Sequence, residues 1–196
     1  MKRAFVFPGQ GSQAPGMGRD LAEAFSAARL LFEEVDDALS QHLSRLMFEG
    51  PEDELTLTEN AQPALLSASL AVIRVLESEA GFDISSLAYV AGHSLGEYSA
   101  HAAAGTFSVG DAVRLVKRRG QAMQSAVPVG EGAMAALLGL ELDAARAVAE
   151  AARPSPEGKD EVCSAAKTSS YEKRLASSYS ERNFLDDAWH QTGEAG

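Results

Sequence analysis

The sequence predicts an α/β fold organised on a parallel sheet. Two short apolar runs, Ala4-Phe5-Val6-Phe7 and Leu87-Ala88-Tyr89-Val90-Ala91, are continuous rather than alternating, as in strands covered on both faces. Each ends at once in a glycine-bearing turn, Pro8-Gly9 and Gly92-His93-Ser94-Leu95-Gly96. The segments between and after them carry apolar residues at helical spacing.

The elements follow in order. Residues 4–7 form the first strand, and the loop Gly9-Gln10-Gly11-Ser12-Gln13 leaves it. Asp20 to Leu39 reads as one helix, with Leu21, Phe25, Leu31, Phe32 and Val35 on one side. Residues 40–60 show no clear period. Pro63 is expected in the first turn of a second helix, Ala64 to about Glu79, where its missing N–H is not needed. The second strand, 87–91, leads through the Gly-His-Ser-Leu-Gly turn into a helix towards Ala104. Ser108 and Asp111 stand at capping-box spacing and open a third helix to about Val127. A linker at 128–132, a strand at 133–140, a helix at 142–152 and a short strand at 161–166 suggest a second, smaller unit. Lys167 to Gly196 contains no Val, Ile or Met, so it cannot easily build a core.

Composition excludes several classes. The net charge of −11 over 196 residues argues against a general nucleic-acid binder, which needs a basic footprint. The single cysteine, Cys163, excludes an internal disulfide and a cysteine-based zinc site. The most apolar stretch, Ala64 to Leu76, is interrupted by Ser67, Ser69 and Arg74 and is too short to span a bilayer. No secretory leader is visible, and a cytoplasmic protein is expected.

Gly92-His93-Ser94-Leu95-Gly96 matches the nucleophile elbow G-x-S-x-G in its required context, strand before and helix after. Small residues flank the serine because backbone passes close on both sides. The turn presents the hydroxyl at the carboxyl end of the strand, beside a helix N-terminus that stabilises developing negative charge. The bland alternative is a glycine-rich turn with a capping serine. The loop after the first strand also sits at a strand carboxyl end, where sites form in open α/β sheets. On the third helix, Val109, Ala112, Val113, Val116 and Met123 define the apolar face. Arg114 and Arg118 point away, Lys117 lies at the margin or beyond, and Arg119 leans inward. Spacing alone leaves Arg119 open as a snorkelling side chain.

Taken together, these segments resemble the malonyl-CoA:acyl carrier protein transacylases of fatty-acid synthesis. The matching residues are 5–13, Thr58-Glu59-Asn60-Ala61-Gln62-Pro63-Ala64-Leu65, the stretch 91–100 around Ser94, Arg119-Gly120, Met123-Gln124 and Gly132-Ala133-Met134-Ala135-Ala136. The resemblance runs over about residues 1–166. It implies an α/β-hydrolase-like acyltransferase large subdomain, its N-terminal part at 1–127. It also implies an incomplete ferredoxin-like inserted subdomain that starts at 128–166, followed by a non-matching tail at 167–196. The implied reaction is ping-pong acyl transfer, with Ser94 as nucleophile. The backbone N–H groups of Gln10 and Leu95 are the implied oxyanion hole, and Arg119 the implied ligand of the malonyl carboxylate. Malonyl-CoA and acyl carrier protein are the implied partners of a monomer, with no nucleic acid, no membrane, no metal and no cofactor. A guanidinium suits a carboxylate because it pairs bidentately, which lysine cannot do. Outward-facing Arg114, Lys117 and Arg118 are the candidates for docking an acidic carrier.

The serine lacks an evident base. The histidines are His42, His93, His101 and His190, and Ala188-Trp189-His190-Gln191 does not resemble the family's late histidine segment. Lys167 stands where the family continues with asparagine, so the chain is expected to be truncated after about residue 166. Two other functions therefore stand beside the transferase: an inactive family member, and a serine thioesterase or hydrolase in which water replaces the acceptor thiol.

Overall fold

The computed structural model describes residues 3–126 and 140–152. They belong to two compact units, parted between positions 134 and 135.

In the first unit, β1 (Ala4–Phe7) and β2 (Tyr89–Gly92) pair in parallel, with Phe5 opposite Val90 and Phe7 opposite Gly92. A parallel pair needs a long crossover, and here it is helical. It comprises α1 (Arg19–Ala24), α2 (Ser26–Leu39), α3 (Leu43–Glu49), α4 (Glu52–Thr56) and α5 (Thr58–Ala80). After β2 come α6 (Leu95–Ala103) and α7 (Val109–Ala126).

The core lies among α2, α5 and α7, which pack on one another. Leu31, Phe32 and Val35 of α2 meet Leu65, Leu66 and Leu70 of α5 and Ala112, Val113 and Val116 of α7 in one buried cluster. Phe32 meets Phe48 edge to face, with ring centroids 5.4 Å apart. The stretch from Asn60 to Ser67 is buried all round, the mark of a helix enclosed by other elements.

Several expectations are corrected. The single helix over 20–39 is two, because Phe25 is extended (φ −130°, ψ 123°) between α1 and α2. Residues 40–60 are helical as α3 and α4, too short for a period to declare itself. Helix α5 begins at Thr58, so Pro63 lies inside it rather than in the first turn. Its missing N–H falls against the Glu59 carbonyl, one missing bond in a helix held mainly by burial. The second strand ends on Gly92, and Leu87 instead closes a short 3-10 turn at Ile84–Ser86. The Ser108 cap holds: its Oγ accepts from the Asp111 N–H at 3.0 Å and donates to Asp111 Oδ2 at 2.7 Å. Met123, assigned to the apolar face of α7, is 41% exposed, whereas Gly120 is buried.

In the second unit, α8 (Leu142–Ala151) matches the expected helix and carries an Arg146–Asp143 pair at 3.7 Å. The expected strands at 133–140 and 161–166, Cys163 and the tail at 167–196 lie outside the described residues, apart from Leu140, which is not in a strand. Among the described residues, no helix is long and apolar enough to cross a membrane, and no group of three side chains could hold a metal ion.

Candidate functional site

Register places the two loops of interest side by side. Phe7 and Gly92 are partners at the ends of β1 and β2, so the loop from Pro8 to Gln10 starts next to the turn holding Ser94. Ser94 has φ 56° and ψ −110°, a conformation a non-glycine residue adopts only under constraint. The constraint is visible in its neighbours. Gly92 packs on the backbone of Gly96 and Glu97, and Gly96 on that of Phe7 and Pro8. A methyl group on Gly96 would come to 2.8 Å from the Pro8 carbonyl oxygen. The strand, the loop and the helix can therefore meet only around glycine.

The turn closes with the Gly96 N–H donating to the His93 carbonyl at 2.9 Å and the Glu97 N–H to the Ser94 carbonyl at 3.2 Å. Leu95 is the first residue of α6, so its N–H has no acceptor within the helix. Gln10 is exposed, and its side-chain amide donates to Thr58 Oγ1 at 3.4 Å, tying the loop to the start of α5.

Arg119 reaches this turn from α7. Its Nη2 donates to Ser94 Oγ at 2.9 Å, and its Nη1 donates to Gln62 Oε1 at 2.7 Å. The guanidinium carbon lies 5.5 Å from the centre of the Tyr98 ring, within cation–π range. Arg119 is therefore directed inward and half-buried, its guanidinium bonded to Gln62 and Ser94. Close approach of α5 and α7 makes this possible: Gly120 is buried, and a methyl group there would lie 2.6 Å from Glu59 Cα.

The other predicted residues separate from the site. Lys117, expected at the surface, is 17% exposed and is held by Glu59 at 3.3 Å and by Asn60 Oδ1 at 2.9 Å. Arg114 is exposed but lies among Glu33, Glu34 and Asp37, and its Nε donates to the Ala38 carbonyl. The basic docking face of α7 is thus reduced to Arg118 and an arginine in acidic surroundings. His42 is exposed, 3.9 Å from Asp36, and His101 packs against Phe107 with ring centroids 5.7 Å apart. His190 lies outside the described residues. The residue that sequence reasoning left without a role is Gln62. It lay within a matching segment, but only the packing of α5 on α7 brings it to Arg119.

Known proteins resemble this chain in sequence and fold. The malonyl CoA-acyl carrier protein transacylase of Bacillus subtilis (strain 168) is 54% identical over 149 residues, 76% of this chain and 46% of the relative. The acyl-carrier-protein-S-malonyltransferase of Bartonella henselae superposes with a TM-score of 0.72 at 60% identity, covering 77% of this chain and 48% of that one. A malonyl-transacylase in complex with its type II PKS acyl-carrier protein superposes with a TM-score of 0.70 at 45% identity, over the same shares. The chain spans about half the length of the curated relatives it matches. A family described as the acyl transferase domain matches residues 4–180, past the position near 166 where the motif resemblance ends. With most of its length matched, an α-rich fold around a small parallel sheet and a serine at the strand-to-helix turn, the chain belongs to the acyl transferase domain family.

Proposed function

We propose that this chain carries the acyl-binding half of an [acyl-carrier-protein] S-malonyltransferase of fatty-acid synthesis, working through a malonyl ester on Ser94. The observation that carries this reading is the Arg119 guanidinium at 2.9 Å from Ser94 Oγ. A hydrolase for neutral acyl groups has no use for a fixed cation beside its serine, whereas an acyl group ending in a carboxylate does.

In this reading Ser94 Oγ attacks the thioester carbonyl carbon of malonyl-CoA. The C–S bond breaks, and coenzyme A leaves as a thiolate that takes up the proton Ser94 Oγ gives up. The phosphopantetheine thiol of acyl carrier protein then attacks the ester and regenerates the serine. The N–H groups of Leu95 and Gln10 are assigned to the oxyanion of each tetrahedral intermediate. The position of Leu95 at the helix start and the adjacency of the two strand ends support that assignment. Arg119 binds the malonyl carboxylate with the N–H groups that Gln62 and Ser94 leave over. Splitting the transfer into two displacements lowers each barrier. None of the described histidines is assigned as base.

The same reading assigns 1–127 to the α/β-hydrolase-like large subdomain. It takes 128–166 as the start of a ferredoxin-like insert, with 167–196 following it.

Intact-mass spectrometry after brief incubation with malonyl-CoA or acetyl-CoA tests the proposal. A malonyl adduct on the parent, absent in Ser94→Ala and lost with its preference over acetyl in Arg119→Ala, is expected. Equal acylation by both thioesters would return the chain to the hydrolase reading. No adduct on folded protein would make it an inactive member.

A further inference from the structure

We propose that Gln62 is the positioning residue that fixes Arg119 without neutralising it, so that the guanidinium stays free to select acyl groups bearing a carboxylate. This rests on reading Arg119 as the carboxylate ligand.

Gln62 is fully buried on α5. A buried amide is costly unless both of its ends are satisfied, and a leucine would pack there without that cost. Here both ends are engaged: Oε1 accepts from Arg119 Nη1 at 2.7 Å, and Nε2 donates to Met123 Sδ at 3.3 Å. The orientation of the amide is dictated by chemistry, because a guanidinium only donates and must face the carbonyl end. With Gln62 on one nitrogen, Ser94 on the other and Tyr98 beside the plane, the fork is held before any substrate arrives.

The same two helices supply the contrast. Lys117 of α7 meets a carboxylate, Glu59 of α5, at 3.3 Å. Arg119 of α7 meets a neutral amide, and among the described residues no carboxylate lies within 4.0 Å of it. The first pair closes its own charge. The second leaves a half-buried cation with no carboxylate beside it, open to one that a ligand brings. A carboxylate at position 62 would hold the arginine as firmly and would compete with the substrate for it.

The test compares the full-length parent with Gln62→Glu, Gln62→Leu and Arg119→Ala. Calorimetry would measure affinity for malonyl-CoA and acetyl-CoA analogues in which a methylene replaces the thioester sulfur. Thermal melting confirms that each variant folds. Gln62→Glu, near-isosteric, is expected to lower the malonyl-over-acetyl preference on the order of tenfold with acetyl affinity unchanged. Gln62→Leu, uncharged and able to pack, is expected to lower the same ratio by loosening the fork. If Arg119→Ala abolishes the preference while both Gln62 variants retain it, Gln62 is only structural and the inference is overturned. If the parent shows no preference, or Arg119→Ala keeps it, the carboxylate reading itself falls and the inference with it.

Discussion

The helical layer and the strand-end turn of the first unit are built on opposite principles. The layer of α2, α5 and α7 is closed by buried aliphatic and aromatic side chains, and Leu66 of α5, Leu43 and Met47 of α3 and Leu55 of α4 are wholly removed from solvent in the same cluster. The sheet buries little: in β1 only Phe7 is enclosed, Val6 is 72% exposed, and no residue of β2 is fully buried. What holds the turn is close backbone contact around Gly92 and Gly96 and a cation delivered from the layer beneath. Stability and site geometry are thus separable to a degree. The layer provides the rigid platform, and the turn spends conformational strain at Ser94 to expose a hydroxyl.

Substitutions in each region can break or sharpen this contrast. The largest loss is expected from Leu66→Ala, which opens a cavity at the centre of the layer and costs about 2–5 kcal/mol. Urea denaturation measures it, and a cost under about 1 kcal/mol would mean that the layer is not the platform. Gly96→Ala pushes a methyl group against Phe7 and Pro8 and costs about 1–3 kcal/mol through overpacking. Its distinguishing effect is loss of the Ser94 adduct in protein that still melts cooperatively. Full acylation of this variant would show that the glycine contact does not set the turn.

Smaller effects lie at the helix ends. Ser108→Ala removes the acceptor of the Asp111 N–H and is expected to cost about 1 kcal/mol, with the proposed malonyl preference unchanged. The smallest effect belongs to Asp83, an exposed carboxylate. The Ser85 hydroxyl, and then the Ser85 backbone N–H, hold its pKa below the usual value. Because the folded pKa is depressed, this contribution is present above the unfolded pKa and fades as pH falls through the folded one. Asp83→Asn should therefore lower the melting temperature slightly at neutral pH and leave it unchanged in acid. A difference that persists in strong acid would point to a cause other than the charge.

Legibility in the sequence followed the range of the interactions. Strand 4–7, the turn at 92–96 and the Ser108 cap could be read because each rests on residues adjacent in the chain. Helix boundaries fared less well. Nothing local marks Phe25 as extended, and Pro63 pointed to a helix start that burial of α5 moved back to Thr58. Helical spacing puts Lys117 at the surface because it gives direction but not neighbours. Only the packing of α5 against α7 encloses it with Glu59 and Asn60.

By itself, the sequence determined that a serine stands on a tight strand-to-helix turn and that one arginine of α7 leans inward. Turn chemistry and helical period are short-range properties, so the residues state them directly. The tertiary structure alone decided what that arginine meets. The parallel register of β1 and β2 aligned the two loops, the Gly120 contact let α7 approach α5, and that approach set Gln62 and Ser94 on the two ends of one guanidinium. Residues 62, 94 and 119 are far apart along the chain, and no local period relates them. Burial of a shared apolar face brings them within hydrogen-bonding distance.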